Sequence, residues 1–218
     1  MRNRGIILLF FASLCLPGLH AGDGIRQDAG LWTNVSIAPK LLAGRWKTLY
    51  SLEYRSKEHF RETSLWCGMW NVDYVFNPCI QVGIGYEFFL NREPGGGYGP
   101  EHRYYPEAIF SYGAGAFSVN LRSRVMNTFT QWNDPHWVGR NRLKAACSIH
   151  GTPLKPFAGV EPFHEIDPVA QRFQKIRYTA GCSYVAGRQK WDIYYLREDY
   201  LSQRFVRNIL AIDYNYAF

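Results

Sequence analysis

The chain has 218 residues, a formal net charge of +7 and an aromatic-rich composition with 15 Tyr, 14 Phe and 7 Trp. That length suits one domain, and the basic residues are scattered through alternating segments without forming a tract, which argues against a nucleic-acid partner. Charged or strongly polar residues interrupt every apolar run after Ala21, so a helical membrane protein is excluded.

Residues Met1–Ala21 read as a secretory signal: Arg2 and Arg4 open it, Ile6–Leu16 is apolar, and Pro17-Gly18 break the run before Ala21. The apolar part is too short to span a bilayer, which takes about 20 residues. Leu14 before Cys15 rules out a lipoprotein site, and residues 22–218 are expected to form a single β-barrel domain. Gly22–Gly30 reads as a lead-in. Strands are then expected over Leu31–Leu41, Arg45–Ser56, Arg61–Tyr74 and Cys79–Leu90, with turns at Ala43-Gly44 and Asn77-Pro78.

Asn91–Glu101, with Gly95, Gly96 and Gly97, reads as a long flexible loop. His102–Tyr112 and Ala116–Thr128 follow around Gly113–Gly115, and after a loop at Thr130–Pro135 come His136–His150 and, past Thr152-Pro153, Pro156–Ile166. Pro162 removes a ladder donor and marks a weak or bulged point in that strand. Asp167–Gln171 is a loop, Arg172–Val185 turns at Ala186-Gly187 into Arg188–Asp199, and Tyr200–Gln203 leads into Arg204–Phe218.

In that last segment Leu210, Ile212, Tyr214, Tyr216 and Phe218 hold every second position, with small or polar residues between. Such a period of two is a strand with one apolar and one polar face. Ending on an aromatic, it resembles the C-terminal strand of bacterial outer-membrane barrels. The resemblance implies that those five residues are the assembly signal, read by the barrel-assembly machinery, and that lipid covers the apolar face.

The expected fold is therefore an all-β, antiparallel up-and-down transmembrane barrel with short periplasmic turns, longer outer loops and a place in the bacterial outer membrane. The segments number eleven, whereas single-chain bacterial barrels carry even numbers, so ten to twelve strands are expected, twelve preferred. Cys67, Cys79, Cys147 and Cys182 are expected as free thiols, because no two of them fall opposite one another.

If the apolar faces look outward, the opposite faces line the lumen. They supply Glu53, Arg55, Glu87, Glu107, Arg122, Arg124, Arg140, Arg142, Lys144, Glu161, Lys175, Arg177, Asp192 and Asp213. Enclosed charges must be paired, so the lumen reads as an Arg/Glu network, either filling a structural barrel or lining a narrow anion-preferring channel. An outer-membrane enzyme hydrolysing lipid or peptide at the outer rim is the alternative: His164, Glu165 and Asp167 cluster there, with His136 and Asp134 on the same rim, yet no Ser stands at a diagnostic spacing. No metal site or cofactor is expected. A soluble periplasmic ligand-binding barrel is the third reading, and it requires the apolar faces to point inward.

Leu31-Trp32-Thr33-Asn34-Val35, the Tyr50–Arg55 segment, Val82-Gly83-Ile84-Gly85-Tyr86 and Arg103–Tyr105 carry a further likeness. So do Arg140–Leu143, Pro156-Phe157, Arg177-Tyr178 and Asn208–Phe218. With these motifs the chain is similar to the bacterial family known as domain of unknown function 2490. That resemblance implies a Gram-negative outer-membrane barrel and supplies no activity, substrate or catalytic residue.

Overall fold

The computed structural model describes residues 24–41, 43–130, 135–166 and 172–218; the expected signal segment, Asp134 and Asp167 lie outside them. Eleven strands occur among the described residues: β1 (Arg26–Ala38), β2 (Trp46–Lys57), β3 (Glu62–Asn77), β4 (Ile80–Arg92), β5 (Tyr98–Ala114) and β6 (Phe117–Phe129). The others are β7 (His136–Cys147), β8 (Leu154–Glu165), β9 (Phe173–Ala186), β10 (Gln189–Tyr200) and β11 (Phe205–Ala217). Each pairs with its neighbour in sequence, and β1 pairs with β11 to close a barrel.

The closure corrects the expected twelve strands. An odd number leaves the first and last strands pointing the same way, so they meet in parallel, in unbroken register from Arg26↔Phe205 to Ala38↔Ala217. Residues Arg26–Gly30, expected as lead-in, extend β1 and lengthen this seam. Arg26 N donates to Arg204 O (3.0 Å) at one end and Phe218 N to Ala38 O (3.2 Å) at the other. The pairing leaves neither strand as an open edge with unmet backbone donors.

One rim carries the two-residue turns 78–79, 115–116 and 187–188, together with the connections 39–45 and 148–153. Gly115 and Gly187 supply positive φ in two of those turns (58° and 59°), where a side chain would be strained. The opposite rim carries connections 58–61, 93–97, 130–135, 166–172 and 201–204. We call these the turn rim and the loop rim. The long loop expected at Asn91–Glu101 is a tight hairpin instead, because β4 reaches Arg92 and pairs it with Tyr98. Gly96 and Gly97, at φ 87° and 91°, let the chain reverse there within five residues.

Two prolines interrupt the ladder. The β7–β8 register skips the rungs at Pro162, running from Arg140↔Phe163 directly to Leu143↔Val160, with a further shift at Phe163/His164 on the β9 side. Pro106 does the same between β5 and β6, a break not anticipated from sequence. The hairpin of β6 and β7 is thus flanked on both sides by a missing rung.

Side chains alternate across the wall. Inside, three apolar clusters form: Trp32 with Leu196, Ile209 and Ala211; Tyr105 with Met126, Val138 and Phe163; and Leu65 with Cys67 and Phe89. Gly85 and Gly181 leave flat places on the inner wall where Tyr105 and Tyr194 lie. A Cβ at Gly181 would collide with the Ile193 carbonyl and the Tyr194 backbone, neither of which can swing aside. Gly181→Ala is therefore expected to destabilise the barrel by about 1–3 kcal/mol in equilibrium denaturant unfolding.

The charged lumen as a candidate functional site

Strand register decides which charges meet. β6 and β7 place Arg122 directly opposite Arg142 and Arg124 opposite Arg140. Like charges facing each other across a strand pair are destabilising, so the neighbouring strands must supply carboxylates. Glu107 on β5 accepts from Arg124 Nε at 2.6 Å. Glu161 on β8 accepts two bonds from Arg140 (2.7 and 3.0 Å) and one from Arg122 (3.1 Å). Glu87 accepts from Arg103 at 3.0 Å and lies 3.6 Å from Arg124.

One row of side chains continues this pattern around the barrel. Glu161 pairs with Arg177 across β8–β9, Arg177 with Glu198 across β9–β10, Glu198 with Arg207 across β10–β11, and Arg207 with Asp28 across the parallel seam. The signs alternate at every step. Arg177 Nε donates to Glu198 at 2.6 Å, Lys175 joins it at 2.8 Å, and Arg207 lies 3.3 Å from Asp28. Glu198 is 1% exposed and Glu161 5%. Buried carboxylates of this kind are held only by matched cations.

The remaining lumenal charges lie toward either side of this row. Glu53 and Arg55 pair within β2, and the Arg55 guanidinium stacks on Trp32 at 4.0 Å. Lys144 sits over Phe157 (3.5 Å) with Asp192 4.0 Å away, and Asp192 also holds Lys190 at 2.6 Å. Asp213 accepts from Tyr194 OH at 3.1 Å. Sequence reasoning left out Glu198, Arg103, Arg207, Asp28 and Lys190. The signal was present: Glu198 and Lys190 share parity with Asp192, and Arg207 with Asp213.

The enclosed space measures about 790 Å³ and is lined from near the loop rim (Asn91, His136, Tyr200) to near the turn rim (Ser51, Lys190, Asn215). Ten basic and six acidic side chains line it; the buried Glu107 and Glu198 lie outside that lining and pair with three of the ten, Arg124, Lys175 and Arg177. The side chains that border the space are thus more often basic than acidic.

The histidines of the catalytic alternative do not converge. His136 lines the lumen, whereas the His164 ring lies beside Gly139 and edge-on to Phe173 (6.3 Å) in the alternate, outward parity of β8. Among the described residues no group of three or more His, Cys, Asp or Glu is placed to hold a metal ion. The four described cysteines are free, with Cys67 buried among Leu65 and Phe89.

The outer face is apolar. Leu52, Ile84, Leu121, Leu143, Ile193 and Leu210 are exposed around its middle. Exposed aromatics gather toward each end, with Trp46, Tyr112, Phe117 and Trp191 near the turn rim and Trp66, Tyr104, Trp137 and Phe173 near the loop rim. On β11, Leu210, Ile212, Tyr214 and Tyr216 share the outer parity and Phe218 follows at the turn rim.

A family model described as protein of unknown function (DUF2490) matches residues 29–200. No curated protein matches the chain. Among solved structures, the beta domain of the Bordetella autotransporter Brka aligns with a TM-score of 0.45 and 12% identity, covering 77% of this chain and 81% of that one.

Proposed function

We propose, from the premise that the chain belongs to the DUF2490 family of proteins of unknown function, that it is an outer-membrane barrel enclosing a narrow, anion-preferring passage. The excess of basic over acidic side chains lining the enclosed space carries this reading. Rings of Arg and Lys favour anions wherever ions pass close to them.

The membrane placement is supported by dimensions and by the outer face. Twelve strand residues at about 3.3 Å each, tilted by about 40°, span about 30 Å, enough for the apolar band of about 25 Å that such barrels present. Exposed Leu, Ile and Val at mid-height on β2, β4, β6, β7, β10 and β11, between ends rich in exposed aromatics, suit lipid flanked by two interfaces. A soluble ligand-binding barrel would carry the opposite arrangement, since an exposed apolar surface of this extent drives aggregation in water. In this reading residues 1–21 direct export, the turn rim is periplasmic, and the terminal aromatic strand engages the assembly machinery.

Conductance of the refolded protein in a planar bilayer tests the passage. Small, steady, anion-selective currents are expected. Cation selectivity, or silence from a barrel shown to be folded, would overturn the reading.

The odd strand number gives a second expectation. Gly24 adjoins β1 at the loop rim, while Phe218 ends at the turn rim. Single cysteines at Gly24 and Phe218 should react with an impermeant thiol reagent from opposite faces of oriented membranes. Reaction of both from the same face would require an even-stranded barrel.

A further inference from the structure

The row Asp28–Arg207–Glu198–Arg177–Glu161 alternates in sign at every strand crossing; Arg142 continues it and Arg122 breaks it. The pairs flanking the rungs skipped at Pro162, Arg140↔Phe163 and Leu143↔Val160, bring Arg142 level with Glu161 without a ladder pair, and Arg122 follows directly opposite Arg142, so a second cation stands where the pattern calls for an anion. Glu161 does not resolve this. Both of its oxygens are taken by Arg140, and Arg122 shares one of them.

Arg142 has no carboxylate within 4.0 Å among the described residues; its recorded bond goes to the neutral Asn120 Oδ1 at 3.3 Å. The Nε atoms of both Arg122 and Arg142 are buried without a protein acceptor. The other lumenal arginines near them each hold a carboxylate, and several also stack on a ring, as Arg124 does on Tyr105 (4.2 Å). Both side chains line the enclosed space, with Lys144 one step nearer the turn rim on the same face of β7.

We propose that Arg122 and Arg142, with Lys144 beside them, bind a small divalent oxyanion of the phosphate type inside the lumen. A tetrahedral oxyanion accepts from two guanidinium groups at once, and its charge restores the alternation that the protein leaves incomplete. The ligand is a solute, because these side chains are on the inner wall and lipid headgroups meet the outer one. The inference rests on the reading that the lumen is reachable from solution.

The test is titration calorimetry of inorganic phosphate into the refolded barrel in a non-ionic detergent, run beside the bilayer conductance measurement. The wild type should bind, and Arg142→Gln should weaken binding by at least about tenfold, as loss of a charge-assisted contact does. Because Arg142 joins no ion pair, this variant should unfold at the same or a higher denaturant midpoint. Arg142→Lys keeps the charge but loses the planar fork, and should weaken binding by a smaller factor.

No phosphate binding by the wild type, or equal binding by wild type and Arg142→Gln, overturns the site. Arg142-dependent binding by a barrel that passes no current supports the site and overturns the passage. Anion current without phosphate binding does the reverse.

Discussion

Glu161→Gln is expected to destabilise the folded barrel by about 3–5 kcal/mol, the range for stripping one partner from a buried ion pair. The substitution preserves shape and removes one charge. That charge is shared by Arg140, Arg122 and Arg177, the last at 3.6 Å. Arg177 retains Glu198, but Arg140 keeps at most one neutral acceptor of its fork and faces an amide NH2 in place of the other, and Arg122 loses its carboxylate. Around them the apolar Phe163 and Val138 offer no replacement. Glu62→Gln is the control: its ion pair with Lys57, at 3.7 Å, is at the exposed loop rim and should be worth less than about 1 kcal/mol. Both values follow from urea unfolding of the protein refolded into phospholipid vesicles. Equal, small losses for the two variants would mean that the lumen solvates its charges freely and that the network does not set the barrel's shape.

Leu210→Arg carries the second large effect. Leu210 is at mid-height on the outer face of β11, 46% exposed. An Arg at the mid-plane of a lipid-facing belt destabilises such barrels by about 2–4 kcal/mol, whereas a water-facing Leu would accept the change with an effect of about 0.5 kcal/mol or less. Its neighbour Ile209 responds for a different reason. Ile209 is fully buried against Trp32 and Leu196, so Ile209→Ala should cost about 2–5 kcal/mol through the cavity it leaves. Adjacent residues would thus fail on opposite sides of one wall. Vesicle unfolding of the two variants checks this, and a neutral Leu210→Arg would remove lipid from the account.

Side-chain parity made much of the barrel legible. A strand has a period of two, so Trp46, Tyr50 and Leu52 on one face of β2 and Glu53 and Arg55 on the other could be separated without knowing any partner strand. The same parity placed Arg122, Arg124, Arg140 and Arg142 together, because consecutive strands of a meander are neighbours. Partner choice at the ends was not legible. Nothing local in Arg26–Ala38 records that it meets β11 in parallel; that follows from closing an odd number of strands. For the same reason the alternating row across β8 to β1 was missed, since it depends on four registers at once. The glycines at 95–97 read as flexibility, but positive φ there tightens a hairpin that β4 and β5 extend on both sides. The inner apolar clusters were hidden because Leu65 and Cys67 fall in a strand apolar on both faces, and Phe89 follows Glu87 on the polar face of β4. The shared rim of His136 and His164 was legible, but their opposite parities on neighbouring strands, which keep the two rings on different sides of the wall, were not used.

Whether lipid meets the outer parity and solution the inner is best tested by single-cysteine scanning along β11. In a background lacking the native cysteines, a fluorophore is attached in turn at Asn208, Ile209, Leu210, Ala211, Ile212 and Asp213, in vesicles containing brominated lipid. Strong quenching at Asn208, Leu210 and Ile212, with Ile209, Ala211 and Asp213 spared, is the expected result. Equal quenching at both parities, or protection of Leu210 and Ile212, would contradict a barrel that turns its apolar face to lipid and its charges inward.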